Sequence, residues 1–181
     1  MTRAAHPHLV VVTGGPGSGK TTLIEALAGA GHACIPEAGR AIIRAERASG
    51  GQALPWSDTA AYADAMLERD VAAYAAARAS QGRVFFDRGL PDVAGYRQLA
   101  GLPFCPVTDG ACRLHRYGCV FIAPPWREIY VNDAERRQDA AEAERTYHVM
   151  NEVYRTYGYE AIELPRASIV ERVAFVLDRV G

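Results

Sequence analysis

The chain has 181 residues, 49% of them hydrophobic, enough for one domain with a sizeable core. A formal net charge of -1 leaves no basic stripe, so no nucleic-acid partner is expected, and four cysteines are too few for a disulfide scaffold and fit buried thiols in a reducing compartment. The longest early apolar run, Leu9 to Val12, is too short for a signal-peptide core or a bilayer span, so no membrane partner is expected and the chain reads as cytoplasmic.

Five short apolar runs alternate with longer helical patterns. The first, LVVVTG, runs directly into GGPGSGKTT at residues 14–22. Gly14, Gly19, Lys20 and Thr21 match G-x-x-x-x-G-K-[ST] between a strand and a helix. In that context glycines let the backbone curl around a phosphate chain, and the following helix adds its positive end. Lys20 is the chain's one lysine among twenty basic residues. A slim ammonium enters a tight loop where arginine's planar fork does not fit, which accounts for the exception. The expected ligands are ATP and Mg2+. Gly14, Gly15, Gly17, Ser18, Gly19, Lys20, Thr21 and Thr22 would meet the phosphates, and Thr21 would also offer its hydroxyl to the metal.

The second run is HACIPE, residues 32–37. Residues 57–80 then read as a helix opening on the capping-type residue Ser57, with Tyr62, Met66, Val71 and Tyr74 inward. The third run, RVFFDRG, ends on Asp87, whose expected role is a second Mg2+ contact through water; capping of the next turn is the structural alternative. Arg88 stands where hydrolytic motors carry a glutamate that activates water, and a chain whose sole lysine lies in the phosphate loop has no N-K-x-D stretch for guanine. A motor and a Ras-like switch are therefore disfavoured.

Cys105, Cys112, His115 and Cys119 lack the short paired knuckles of structural zinc sites. The fourth run, GCVFIAPP, leads into a polar helix-forming stretch with Arg127, Arg136, Arg137 and Arg145, and the fifth, YEAIELP, into Pro165 and Arg166. Ser168 and Glu171 form a capping-box pattern before Ile169, Val173, Val176 and Val180 recur at helical spacing. Trp56 and Trp126, in proline-flanked loops, would stack on a flat acceptor or cover the core, the latter being the commoner fate of large aromatics. Strands separated by helices imply a parallel sheet covered on both faces, with ligands at the strands' carboxyl ends.

The phosphate loop, the PEAGR stretch, DRG and ERR together resemble the P-loop small-molecule kinases, in particular the AAA-type ATPases grouped with the nicotinamide riboside kinase domain, and the resemblance spans nearly the whole chain. It implies a three-layer α/β P-loop fold, one domain over residues 1–181, with a five-stranded parallel sheet in the order 2-3-1-4-5 and an arginine-bearing lid at about residues 124–145. By position, Glu37 resembles the general base toward a hydroxyl acceptor; the alternative is that it caps the helix beginning near Ala38 and pairs with Arg40 or Arg44. Arg88 is an acceptor contact or a structural ion-pair member. Arg136 and Arg137 would neutralise the transferring phosphoryl group on lid closure, or belong to a solvated helix face. Arg166 falls where related kinases contact adenine. The implied activity is Mg2+-dependent phosphoryl transfer from ATP to a small metabolite or nucleoside-like acceptor, with a slowly hydrolysing nucleotide-binding regulator as the alternative. Acceptor identity and oligomeric state are written in no motif.

Overall fold

The structure, a computed structural model, describes residues 5–126 and 140–181. Five strands form one sheet: β1 (His6–Gly14), β2 (Ala33–Ile35), β3 (Val84–Asp87), β4 (Tyr117–Ala123) and β5 (Ile162–Glu163). Their order is β2-β3-β1-β4-β5 and every pairing is parallel, as expected for strands joined by helical crossovers. Seven helices lie among the described residues: α1 (Lys20–Gly29), α2 (Ala38–Ser49), α3 (Thr59–Ala77), α4 (Leu90–Leu99), α5 (Pro106–Leu114), α6 (Ala140–Thr156) and α7 (Ile169–Val180).

The central strand explains its own composition. Leu9 and Val11 face one core with Leu67 and Tyr74 of α3, Val93 of α4 and Tyr154 of α6, whereas Val10 and Val12 face the other with Leu23 and Leu27 of α1 and Val176 of α7. All four β1 residues are fully buried, each contributing about 1.5–3 kcal/mol of burial, so the strand reads as an unbroken apolar run. The register sets Val12 beside Asp87 of β3 and Phe121 of β4, so the carboxyl ends of the three middle strands arrive together.

Helix starts follow local chemistry. The α3 start is capped by Asp58, which accepts from the Ala61 N–H at 2.9 Å, while Ser57, the expected cap, instead donates to the Gln52 side chain. A carboxylate at this position also meets the helix's positive end, an advantage the Ser57 hydroxyl lacks. Tyr62 and Tyr74 are buried, and Met66 and Val71 pack half-buried on the same core. The capping box of α7 forms, with Ser168 and Glu171 bonding reciprocally. Trp56 differs from its expected core-covering role: it is 60% exposed, with the Arg47 guanidinium 5.2 Å above its ring. Its proline-flanked loop keeps the ring outside the packed layers, where a cation supplies its contact. Among the described residues no helix is long and apolar enough to cross a membrane.

Candidate nucleotide and phosphoryl-transfer site

The loop between β1 and α1 is shaped by close backbone approach. Gly14 has φ 131°, and a Cβ there would lie 2.4 Å from the Ala123 carbonyl of β4. Gly19, at φ 79°, opens α1 in the left-handed region that glycine adopts without steric cost. Gly15 packs against the Ala143 backbone of α6, and its carbonyl accepts from Ser18 Oγ at 2.8 Å and from Lys20 Nζ. Lys20 Nζ also donates to Ser18 Oγ at 3.2 Å. Burial first, and the Arg88 charge second, lower the Lys20 ammonium to about 7, with Asp87, Glu37 and Asp92 opposing. An arriving polyphosphate would restore the cation, since an opposite charge at close range favours the charged form. Gly17, at φ 68°, completes the turn, while Thr22 is exposed on α1.

Across the sheet, Asp87 ends β3 and is 5% exposed. Its Oδ2 accepts from Thr21 Oγ1 at 3.2 Å, whereas its Oδ1 is buried without a hydrogen-bond partner among the described residues. Burial raises the carboxyl above its ordinary range. An unpartnered carboxylate oxygen beside a hydroxyl suits a hard cation that prefers oxygen ligands, so the residues fit Mg2+.

Arg88 follows in a left-handed conformation, φ 74°, unusual for a residue with a Cβ and held by its N–H donating to Val12 O at 3.0 Å. Its Nε lies 3.4 Å from Glu37, and its Nη1 donates to Asp92 at 3.0 Å. Glu37 stands at the N-cap position of α2 but makes no side-chain cap; its carboxylate goes to Arg88 and, also at 3.4 Å, to Arg40. The anticipated pairing with Arg40 is present, and Arg88, rather than Arg44, joins it.

Two carboxylates that sequence reasoning missed belong to this cluster. Asp92 accepts from Thr13 Oγ1 and Tyr154 Oη, both at 2.6 Å, from Arg88, and from the Gly89 N–H at 2.9 Å. Asp70 lies on the core-facing row of α3 defined by Tyr62, Met66 and Tyr74, and among the described residues no group donates to it. Burial, then Asp92 and Glu37, push it up to about 8. Its signal in the sequence is its spacing, four residues after Met66 and four before Tyr74.

Beyond the loop, a cavity of about 560 Å3 is lined by Pro124, Pro125 and Trp126 after β4, Tyr147 and His148 of α6, and Glu163 and Arg166 around the end of β5. Arg166 Nε donates to Pro125 O at 3.1 Å, joining the ends of β4 and β5. Tyr147 bonds Glu163, and Arg145 is exposed on α6. Arg127, Arg136 and Arg137, expected in the lid, lie outside the described residues.

The fold recurs in solved structures. NadR protein in complex with NR superposes with a TM-score of 0.71 at 21% identity, covering 95% of this chain and 50% of that one, so the present chain spans about half the length of that relative. Thymidylate kinase from Ehrlichia chaffeensis gives 0.64 at 16% identity, covering 96% of this chain and 98% of its own. Deoxyadenosine kinase from M. mycoides, with dcmp and dcdp bound, gives 0.63 at 12%, covering 95% and 98%. No curated protein sequence matches the chain. With a phosphate loop at the end of β1, a parallel sheet ordered 2-3-1-4-5, and residues 9–172 matching the family as a whole, the chain belongs to the AAA domain family of P-loop proteins.

Proposed function

We propose that the chain is a Mg2+-dependent phosphotransferase that moves the terminal phosphoryl group of ATP to a hydroxyl of a small acceptor. The observation that carries this reading is the tether between Glu37 and Arg88: a carboxylate from the end of β2 is bound by the residue next to Asp87, close beside the phosphate loop. A nucleotide-binding regulator needs no such group. The likeness to kinase folds supports the same class of chemistry.

In this reading the loop N–H groups and Lys20 hold the phosphates, and Thr21 and Asp87 hold Mg2+. Once bound, the metal neutralises charge on the phosphate oxygens. The acceptor oxygen forms a bond to the terminal phosphorus, the bond from that phosphorus to the bridging oxygen of ADP breaks, and Glu37 takes the acceptor's proton. Arg40 and Arg88 orient Glu37. Arg136 and Arg137 would meet the phosphoryl group from the lid, and Arg166 would border the base.

Acceptor charge follows from the same cluster. Arg88 is already bonded to both Glu37 and Asp92, Arg40 shares Glu37, and Asp70, its carboxyl pushed up to about 8, holds its proton near neutral pH, so among the described residues of this cluster each guanidinium is already paired with a carboxylate. An uncharged polyhydroxylated acceptor of nucleoside type fits a wall whose guanidinium groups are already paired better than one already carrying a phosphate.

The test is Glu37→Gln, which keeps size and removes the proton-accepting charge. Acceptor-stimulated ADP formation is expected to fall by about 10²- to 10⁴-fold with ATP affinity retained. Unchanged acceptor-stimulated turnover would remove Glu37 from the mechanism.

A further inference from the structure

Arg172 breaks three rules at once. It sits in the first turn of α7, where the helix's positive end disfavours a cation. It is only 2% exposed, on the inward side with Ile169, Val173 and Val176. Among the described residues no carboxylate pairs with it, and burial followed by the nearby Arg166 charge lowers its affinity for its proton. A buried guanidinium without a counter-charge costs folding free energy that an apolar side chain of similar size would not.

Its contacts indicate what offsets that cost. Nη1 donates to the Ser18 carbonyl of the phosphate loop at 2.9 Å, and Nε donates to the Pro165 carbonyl after β5 at 2.8 Å. The guanidinium lies 5.1 Å from the centre of the Trp126 ring, on the wall of the 560 Å3 cavity. Nη2 is buried with no partner among the described residues. One side chain thus reaches the loops after β1, β4 and β5, and Arg166 adds its own bond to Pro125.

The Ser18 carbonyl and the Gly19 N–H belong to one peptide group. A charged donor on that carbonyl polarises the peptide and strengthens the N–H as a donor within the phosphate loop. The Pro165 carbonyl fixes the neighbouring wall of the cavity relative to that loop. From these contacts we propose that Arg172 is a positioning residue for the nucleotide, locking the phosphate loop and the cavity walls into one unit so that the polyphosphate and the base of ATP are held together. The proposal rests on the ATP reading above. The base end would occupy the cavity, and the polyphosphate would meet the Gly19 N–H on the far side of the peptide group that Arg172 holds.

The experiment measures Kd for Mg2+-ATP and for Mg2+-tripolyphosphate by calorimetry, together with thermal midpoints, for the parent, Arg172→Met and Arg172→Lys. Arg172→Met removes an uncompensated buried cation and is expected to melt no lower than the parent, yet to bind ATP about tenfold or more weakly. It should also lose most of the parent's preference for ATP over tripolyphosphate. Arg172→Lys keeps the charge but cannot bridge both carbonyls, and should fall between the two. A residue that only stabilised the fold would lower the midpoint and leave the affinities of the folded protein unchanged. That result would overturn the proposal, as would an Arg172→Met chain that fails to fold, or an Arg172→Lys protein with the parent's ATP preference. A parent that binds neither ligand would instead overturn the ATP reading itself, and this proposal with it.

Discussion

Asp92 and Asp70 are both acidic, both near Arg88, and opposite in their bonding. Asp92 accepts from donors on β1, the loop before α4, and α6, so it ties the strand that enters the phosphate loop to the helix that packs on that loop. Tyr154→Phe removes one charge-assisted bond and is expected to cost about 1.5–3 kcal/mol in urea denaturation, because the phenol is fully buried and no water replaces it. A loss below about 0.5 kcal/mol would mean that the Asp92 cluster adds little to the fold. Asp70 behaves in the other direction. Its carboxyl is pushed from 3.8 to about 8, so the native chain holds that proton more tightly than the unfolded one. The stability this provides is complete below the unfolded value and is lost as pH rises toward the folded one. Asp70→Asn should therefore melt higher than the parent at about pH 8, with a smaller difference at about pH 4; thermal melts at both values check this, and equal differences would contradict it. These residues show where sequence reading stops. Lys20, Thr21 and Asp87 stand at fixed positions relative to a recognisable loop and an apolar run, but the partners of Asp92 lie 79 residues before it and 62 after it, and no periodicity announces such a meeting.

At the scale of elements, β1 to β4 are legible because each holds an apolar run bounded by turn residues, whereas β5 is only Ile162–Glu163 within the expected fifth run. Capping chemistry made α7 legible too, since Ser168 and Glu171 lie at capping-box spacing. The start of α3 was read one residue early because Ser57 and Asp58 are both good caps, and only the contact to Ala61 selects between them. The docking of α6 on the phosphate loop was not legible. It depends on Gly15, whose missing Cβ leaves room for the Ala143 carbonyl, 2.5 Å from where that atom would be. Gly15→Ala must push α6 and the loop apart, at a cost of about 1–3 kcal/mol as for overpacked cores, with a parallel loss of ATP affinity. Chemical denaturation and ATP titration on the same variant measure both, and a stable variant with parent-like affinity would show that the two elements need not touch.

For the whole molecule, five parallel strands bring the phosphate loop, Asp87 and Glu37 to one edge of the sheet, and the cavity at the ends of β4 and β5 lies along the same edge. This follows from the topology: the strands point one way, so their carboxyl ends and the loops beyond them share an edge. The sequence carried that arrangement through its alternation of apolar runs and helical patterns. It did not carry the pairing of charges around Arg88, which arises from α3, α4 and the end of β2 meeting in space. The central claim is that the two halves of this edge act together in phosphoryl transfer. The most direct measurement incubates the chain with ATP, Mg2+ and two matched acceptor sets, unphosphorylated polyhydroxylated compounds of nucleoside type and their monophosphates, following ADP release and phosphorylated product by mass spectrometry. The account predicts a new phosphorylated product from the unphosphorylated set, with ADP formed in equal amount and both abolished in Lys20→Met. ADP release at the same rate with and without every acceptor, and no phosphorylated product from either set, would contradict it.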